Sequence, residues 1–171
     1  MSSSSSPFDL DNESLYQQWR AQRLARKPDL HTVLIEHAEA ITVNEQQTIA
    51  RHCQDQGFAL FRYQTPPEQP EAALRHLGTV FGLSDIDANL CAEDSGLSEI
   101  TVKQTNTDKL YIPYTDRPIG WHTDGYYNPV GHEIHGMLLY CHRPAWQGGE
   151  NGLLDHEIAY IRLRDRNPDW I

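Results

Sequence analysis

Short strand-like segments alternate with helix-like segments in the first half of the chain, and this alternation constrains the fold most. Apolar residues three and four positions apart predict helices, whereas short runs rich in β-branched and aromatic residues predict strands. Helices are predicted over residues 12–26, 45–56, 71–81 and 156–166. Strands are predicted over residues 32–36, 58–62, 100–104, 135–142 and 152–154. Helices early and strands late predict an α+β domain dominated by antiparallel sheet.

Local capping residues predict where the helices begin and end. Asn44 is expected to cap the helix over residues 45–56, and Gly57 is expected to close it. Asp155 is expected to cap the last helix, which Pro168 would stop.

The charge balance excludes some classes of partner. Lys and Arg number 14 against 24 Asp and Glu, which gives a formal net charge of −10. Nucleic acids and anionic membrane surfaces require a basic patch, so neither is an expected partner. No apolar run approaches the length of a membrane span. A small-molecule substrate is therefore the expected ligand.

The cysteines and the N-terminus predict a cytoplasmic protein. Three widely spaced cysteines with no Cys-x-x-Cys pair form neither a disulfide framework nor a zinc ribbon. The serine-rich N-terminus lacks the apolar segment of a signal peptide. Residues 1–11 are expected to be a disordered tail, and residues 12–171 to form one domain.

The sequence Gly-Trp-His-Thr-Asp-Gly-Tyr-Tyr-Asn at residues 120–128 holds the strongest candidate for a site. His122 and Asp124 can offer an imidazole nitrogen and a carboxylate oxygen to one metal ion. With a second His they would form the facial triad of non-haem Fe(II) oxygenases. A His-x-Asp tripeptide alone is a weak motif, but the flanking aromatic residues could form the walls of a pocket. The alternative is a hydrogen-bonded surface turn.

A second cluster lies at residues 147–156, where Gly148 and Gly149 permit a tight turn beside Asn151. A turn followed by a helix cap is a sufficient alternative explanation for this cluster. The sequence from His132 to His135 is one residue short of the zinc-protease motif, and its strand pattern would separate the two His side chains. We therefore reject it as a protease site.

In combination, these motifs resemble the TauD/TfdA family of Fe(II)- and 2-oxoglutarate-dependent dioxygenases, from about residue 30 to the C-terminus. The resemblance lies in three features that occur in the family's order. They are the strand 57–62 followed by a helix ending in Phe81-Gly82, the sequence Trp-His-Thr-Asp-Gly at residues 121–125, and the Gly-Gly-Glu-Asn turn at residues 148–151.

The resemblance implies a double-stranded β-helix, a jelly roll of the clavaminate synthase type, with flanking helices. It implies that His122 and Asp124 bind Fe(II). Asn151 stands where the family commonly has a Thr that contacts the 2-oxoglutarate carboxylate. The residues expected to face the substrate are Tyr126, Tyr127 and Asn128.

The family pattern extends past residue 171, to a distal His ligand and an Arg that clamps 2-oxoglutarate. Residues 125–171 contain no match to that His and Arg. The chain is therefore expected to correspond to the N-terminal portion of an incomplete domain. Either a second copy of the chain or the C-terminal half of the fold would cover its open surface.

The activity implied by the resemblance is hydroxylation of a small molecule, with conversion of 2-oxoglutarate to succinate and CO2. In this truncated form the chain could be inactive. The first alternative is a non-catalytic remnant or binding module of the same fold. The second is a different metalloenzyme, in which His132, His135 or His156 completes a site with His122 and Asp124.

Overall fold

A computed structural model describes residues 6–86, 97–103 and 112–171. The chain divides into a first unit, Met1–Pro66 with Arg143–Ile171, and a second unit, Pro67–His142. The α-helices are α1 (Glu13–Ala25), α2 (Val43–Gln56), α3 (Pro70–Val80) and α4 (His156–Arg166). Short 3₁₀ helices lie at Ile112–Tyr114 and Pro168–Trp170. The strands are β1 (Thr32–Ile35) and β2 (Leu60–Tyr63). These elements confirm the α+β class and all four predicted helices.

The two strands of the first unit pair in parallel, with Thr32 opposite Leu60 and Ile35 opposite Tyr63. Parallel neighbours need a crossover connection, and α2 provides it. Both strands lie within two residues of the predicted bounds. The expected antiparallel pairing is wrong for them, because a helix rather than a tight turn joins them.

The cap of helix α2 lies two residues earlier than predicted. Thr42 accepts a hydrogen bond from the backbone of Glu45, and the Glu45 carboxylate accepts one in return from the backbone of Thr42. This reciprocal capping box satisfies two otherwise unpaired N–H groups, so Thr42 rather than Asn44 is the cap. Gly57 closes the helix at φ 82°, as predicted.

Burial and hydrogen bonding oppose each other at Glu45. Its burial would raise the pKa of the carboxyl group, but hydrogen bonds from Thr42 and from the backbone of Glu36 outweigh that effect and lower the pKa. The charged carboxylate therefore joins the start of α2 to the end of β1.

Helices α1 and α4 pack together in the first unit. Tyr16 and Ile161 are almost fully buried between them. The Tyr16 hydroxyl donates to Oδ1 of Asp165 at 2.8 Å, and Arg20 pairs with the same carboxylate, with Nη2 2.6 Å from Oδ2. The hydrogen bond from Arg20 is the main cause that lowers the pKa of Asp165. Asp155 caps α4 as predicted, by accepting from the backbone of residues 157 and 158.

Two buried arginines add to this packing. Arg23 contacts Asp155, with Nη2 2.7 Å from Oδ2, and it also pairs with Glu157. The Arg164 guanidinium lies over the Tyr16 ring, 3.8 Å from its centroid. Charged side chains are tolerated in such places because each meets carboxylates, carbonyls or a ring face.

Residues 6–11, which belong to the segment predicted to be disordered, contact helices α1 and α4 of the first unit. The carbonyl oxygen of Pro7 accepts a hydrogen bond from Arg164 at 3.1 Å. The Phe8 ring makes edge contacts with the rings of Trp19 and Tyr160. Residues 1–5 lie outside the described residues.

The second unit contains α3, whose buried face includes Ala73 and Leu77. The strand predicted over residues 135–142 is wrong, since these residues are irregular and the side chains of Met137 and Leu139 are 60% and 54% exposed. Its apolar pattern suggested burial, but a strand also needs a partner to satisfy its backbone groups. None of the described residues pairs with it.

Two further strand predictions also differ from the structure. Residues 152–154 are irregular and exposed, and so are residues 100–103. Gln104, the last residue of the predicted strand 100–104, lies outside the described residues. Both segments are short, and neither finds a partner strand among the described residues.

Candidate metal centre

His122 and Asp124 lie close together on an exposed turn of the second unit. Nε2 of His122 is 3.8 Å from Oδ1 of Asp124, and the two side chains are 44% and 52% exposed. This distance is too long for a hydrogen bond. The two atoms therefore face each other across a gap.

The backbone of Gly120 orients the His122 ring. Nδ1 of His122 is 2.9 Å from the carbonyl oxygen of Gly120. A carbonyl can only accept, so Nδ1 carries the hydrogen, and in the neutral ring Nε2 keeps its lone pair. This is the tautomer that a metal-binding imidazole needs, and a carbonyl partner on the other nitrogen is typical of metal-binding His.

The pair is close to the spacing that one shared metal ion requires. Two bonds of about 2.1 Å at right angles, as in a facial triad, span roughly 3.0 Å, so Nε2 and Oδ1, now 3.8 Å apart, would approach each other by about 0.8 Å on binding. One nitrogen and one carboxylate oxygen are also a donor set that Fe(II) accepts. Among the described residues, no group of three or more His, Cys, Asp or Glu side chains could hold a metal. His122 and Asp124 thus remain two candidate ligands, as the sequence predicts.

Gly125 follows the ligand pair and has a backbone that favours glycine, with φ at +68°. A Cβ added there would lie 2.7 Å from Cδ1 of Ile134, which is closer than real contacts. Glycine at this position therefore permits both the left-handed turn and the close approach of Ile134.

Exposed aromatic rings surround the ligand pair in sequence. Trp121, Tyr126 and Tyr127 are 74%, 78% and 57% exposed. The rings of Tyr126 and Tyr127 meet edge to face, with centroids 5.3 Å apart. Large exposed rings beside a potential metal site provide apolar faces for a ligand.

Asn128 makes contacts that its sequence position did not predict. Its backbone N–H donates to the carbonyl of Gly125 at 2.8 Å, which closes the turn, and its Nδ2 donates to the carbonyl of His132 at 2.8 Å. Asn after a Gly turn is a common closing residue, so a local signal was present in the sequence. Nearby, the backbone N–H of Gly131 donates to the Glu133 carboxylate and lowers the pKa of that group.

Asn151 belongs to the first unit. It follows Gly148 and Gly149, which have φ values of +74° and +84° and form the predicted tight turn. Its Nδ2 donates to the carbonyl of Gly149 at 3.3 Å, and the side chain is exposed. The amide is held by a local turn and remains accessible to a ligand.

Comparison with known proteins identifies the family. The family model described as "Taurine catabolism dioxygenase TauD, TfdA family" matches residues 18–171. The chain belongs to the TauD/TfdA family. This confirms the resemblance inferred from the Trp-His-Thr-Asp-Gly motif and the Gly-Gly turn.

Two curated relatives of this TauD/TfdA chain are named uridine-5'-phosphate dioxygenase. The one from Streptomyces sp is 29% identical over 117 residues, which cover 66% of this chain and 42% of that protein. The one from Amycolatopsis sp is 39% identical over 49 residues, which cover 29% of this chain and 18% of that protein. The chain thus spans less than half the length of these relatives. No solved structure matches it significantly.

None of the helices in the described ranges has both the length and the apolar character needed to cross a bilayer.

Proposed function

We propose that this TauD/TfdA chain is part of a non-haem Fe(II)- and 2-oxoglutarate-dependent dioxygenase that hydroxylates a small molecule. One atom of O2 enters succinate, which forms from 2-oxoglutarate with loss of CO2, and the other enters the substrate as a hydroxyl group. Membership of a dioxygenase family and the names of the relatives support an oxygenase. The cosubstrate and the hydroxylation are the proposal.

The geometry of the ligand turn is the observation that most supports this function. His122 presents a lone pair on Nε2 because Nδ1 is tied to the carbonyl of Gly120. Asp124 presents a carboxylate oxygen 3.8 Å away. Both side chains are accessible, so the ion and its cosubstrate can approach them. Bound Fe(II) would supply the activation of O2, while the chain holds the ion and orients it.

We propose that Asn151 donates a hydrogen bond from its amide to the 2-oxoglutarate carboxylate. In the structure that amide makes a 3.3 Å hydrogen bond to Gly149, which a carboxylate acceptor could replace. Gly148 and Gly149 carry no Cβ atoms that could crowd an approaching ligand, and their positive φ values favour glycine at both positions.

The proposed substrate is a nucleotide with a planar base. The two relatives are named for uridine-5'-phosphate, which makes this molecule the first to test. Exposed aromatic faces stack on bases without sequence preference, and Trp121, Tyr126 and Tyr127 offer such faces next to the ligand pair. Substrate stacking on Tyr126 or Tyr127 would place the base near the proposed iron.

For the whole protein we propose a double-stranded β-helix with flanking helices. Family membership supports this fold. The described strands, a parallel pair, are too few to form it. The exposed apolar residues of segment 134–139 are consistent with strand partners in such a fold. Those partners would come from a further segment of the fold or from a second copy of the chain.

The decisive experiment mixes the protein anaerobically with Fe(II) and 2-oxoglutarate. The ternary complex should give a weak visible charge-transfer band, and addition of O2 with uridine-5'-phosphate should release succinate. His122→Ala and Asp124→Ala should abolish both signals. Absence of the band and of succinate in the unmodified protein would overturn catalysis by this chain as it stands and favour a non-catalytic remnant or binding module.

Further His variants separate the alternatives. His132→Ala and His135→Ala remove exposed imidazoles of the same unit, and His156→Ala removes one from the start of α4. The dioxygenase proposal expects all three to keep the band. Loss of metal in any one of them, measured by metal analysis, would instead favour a different metalloenzyme that uses that His as a ligand.

A further inference from the structure

The segment after the ligand turn folds back on it. The turn closes through the 2.8 Å hydrogen bond from the backbone of Asn128 to Gly125, and a second turn follows, closed by the backbone of His132 donating to Pro129 at 3.0 Å. Nδ2 of Asn128 joins the two turns by donating to the carbonyl of His132. Asn128 therefore links both ends of this segment.

Ile134 contacts the same turn from another direction. Its Cδ1 and Cγ1 would lie 2.7 and 2.8 Å from a Cβ added at Gly125, so the side chain rests directly against the backbone that follows Asp124. Ile134 is 43% exposed, so the side chain is partly covered, and Gly125 is one of the residues that it contacts.

We propose that Asn128 and Ile134 are positioning residues that hold the Asp124 carboxylate opposite His122. This inference rests on the proposed function. The Asp124 side chain is half exposed, so its backbone must be fixed by neighbouring contacts if the ligand geometry is to be kept. Asn128 fixes the turn by hydrogen bonds, and Ile134 blocks its rearrangement by filling the space beside Gly125.

This role differs from the substrate contact expected for Asn128 from the family resemblance. The donor that would face a substrate is used for the carbonyl of His132. A positioning residue acts on metal affinity even when no substrate is present. A substrate-facing residue affects substrate affinity and leaves metal binding unchanged.

The test measures Mn(II) binding without 2-oxoglutarate or substrate, by the loss of the EPR signal of free hydrated Mn(II). Removal of groups that orient metal ligands typically weakens metal affinity by about 10- to 100-fold. Asn128→Ala and Ile134→Ala should each weaken Mn(II) binding about 10-fold. Ile134→Val, which keeps Cγ1, should fall between the unmodified protein and Ile134→Ala.

Matched controls come from the same chain. Val130→Ala changes a residue that is 96% exposed on the same segment, and Asn44→Ala removes an exposed amide from α2. Both should bind Mn(II) like the unmodified protein. Thermal unfolding of every variant shows whether it is folded. If Ile134→Ala is unstable, Ile134→Val provides a milder change at the same position.

The outcomes separate this inference from the proposed function. If the unmodified protein binds Mn(II) and His122→Ala abolishes binding, but both positioning variants bind normally, the inference is overturned and the function stands. If His122→Ala has no effect on Mn(II) binding, the metal site itself is overturned. Weak binding by folded Asn128→Ala, with Ile134→Val intermediate, supports the positioning role.

Discussion

The contact between α1 and α4 and the ligand turn at residues 120–128 are built in opposite ways. The helix contact buries Tyr16 and Ile161 almost completely and satisfies charges by bidentate pairing. The ligand turn exposes both of its predicted metal ligands and is held by short-range hydrogen bonds and one aliphatic contact. The helix contact buries its central side chains, whereas the ligand turn exposes its side chains to solvent.

The difference separates the region that stabilises the fold from the region where binding is proposed. Apolar burial dominates the free energy of folding, so substitutions between the helices should cost most. Ligands on an exposed turn contribute little to folding, but small shifts in their position change metal affinity strongly. The predictions below test this division, from the largest effect on stability to the smallest.

The largest effect should come from a matched pair of isoleucines. Ile161→Ala removes a fully buried side chain between the helices and should lower the free energy of unfolding by about 3 kcal/mol. Ile134→Ala, at a residue that is 43% exposed, should lower it by less than about 1 kcal/mol. Urea unfolding of both variants measures the contrast. Equal losses would show that the ligand turn has a core of its own.

Alkaline pH should weaken the helix contact through Tyr16. Burial, followed by the hydrogen bond to Asp165, raises the pKa of Tyr16 to about 12. In the unfolded chain the Tyr16 hydroxyl loses its proton at pH ~10, whereas in the folded chain it keeps the proton until about pH 12. The stabilisation from the buried neutral hydroxyl is therefore complete below pH ~10 and is lost as the pH rises toward 12. The free energy of unfolding should fall by on the order of 2 kcal/mol across this range. In Tyr16→Phe this part of the decline should disappear, and an unchanged pH profile would contradict the assignment.

A smaller loss is expected at Asp155, which caps α4 and pairs with buried Arg23. Asp155→Ala should cost about 1.5 kcal/mol, because it removes the cap and one partner of the arginine. Asp155→Asn keeps a capping oxygen and loses only the charge, so it should cost less. Thermal and urea unfolding distinguish the two variants. If both cost the same, the ion pair rather than the cap stabilises the start of α4.

The smallest effect on stability is expected at the ligands. His122→Ala and Asp124→Ala should change the free energy of unfolding by no more than about 0.5 kcal/mol, since both side chains are largely exposed. The same variants should lose the metal, as measured by Mn(II) binding. A large loss of stability would mean that this turn contributes to folding and would weaken the division between the two regions.

Local signals in the sequence predicted the helices well. The bounds of α4 follow from Asp155 at its start and Asn167-Pro168 at its end, which act on the backbone within one turn. The predicted cap at Asn44 is wrong, although the sequence contains a local signal for the observed one, because Thr42 and Glu45 have the spacing of a capping box.

Strands and the details of the site depend on distant residues and were predicted less well. The apolar pattern of residues 135–142 could not show whether a partner strand is present. The spacing of His122 and Asp124 placed the two side chains together, as the structure shows, but their roles as ligands stay a prediction. The orienting carbonyl of Gly120 and the contact of Ile134 depend on backbone conformation, which residue types alone do not specify.

The first unit is discontinuous in sequence, and this affects how its chain can change. Tyr16 and Asp165 are hydrogen-bonded although they are 149 positions apart. The entropy of closing a loop grows only with the logarithm of its length, by about 0.6 kcal/mol per doubling. Insertions or deletions within Pro67–His142 should therefore cost the first unit little, which leaves evolution free to alter the length of the segment that contains the ligand turn.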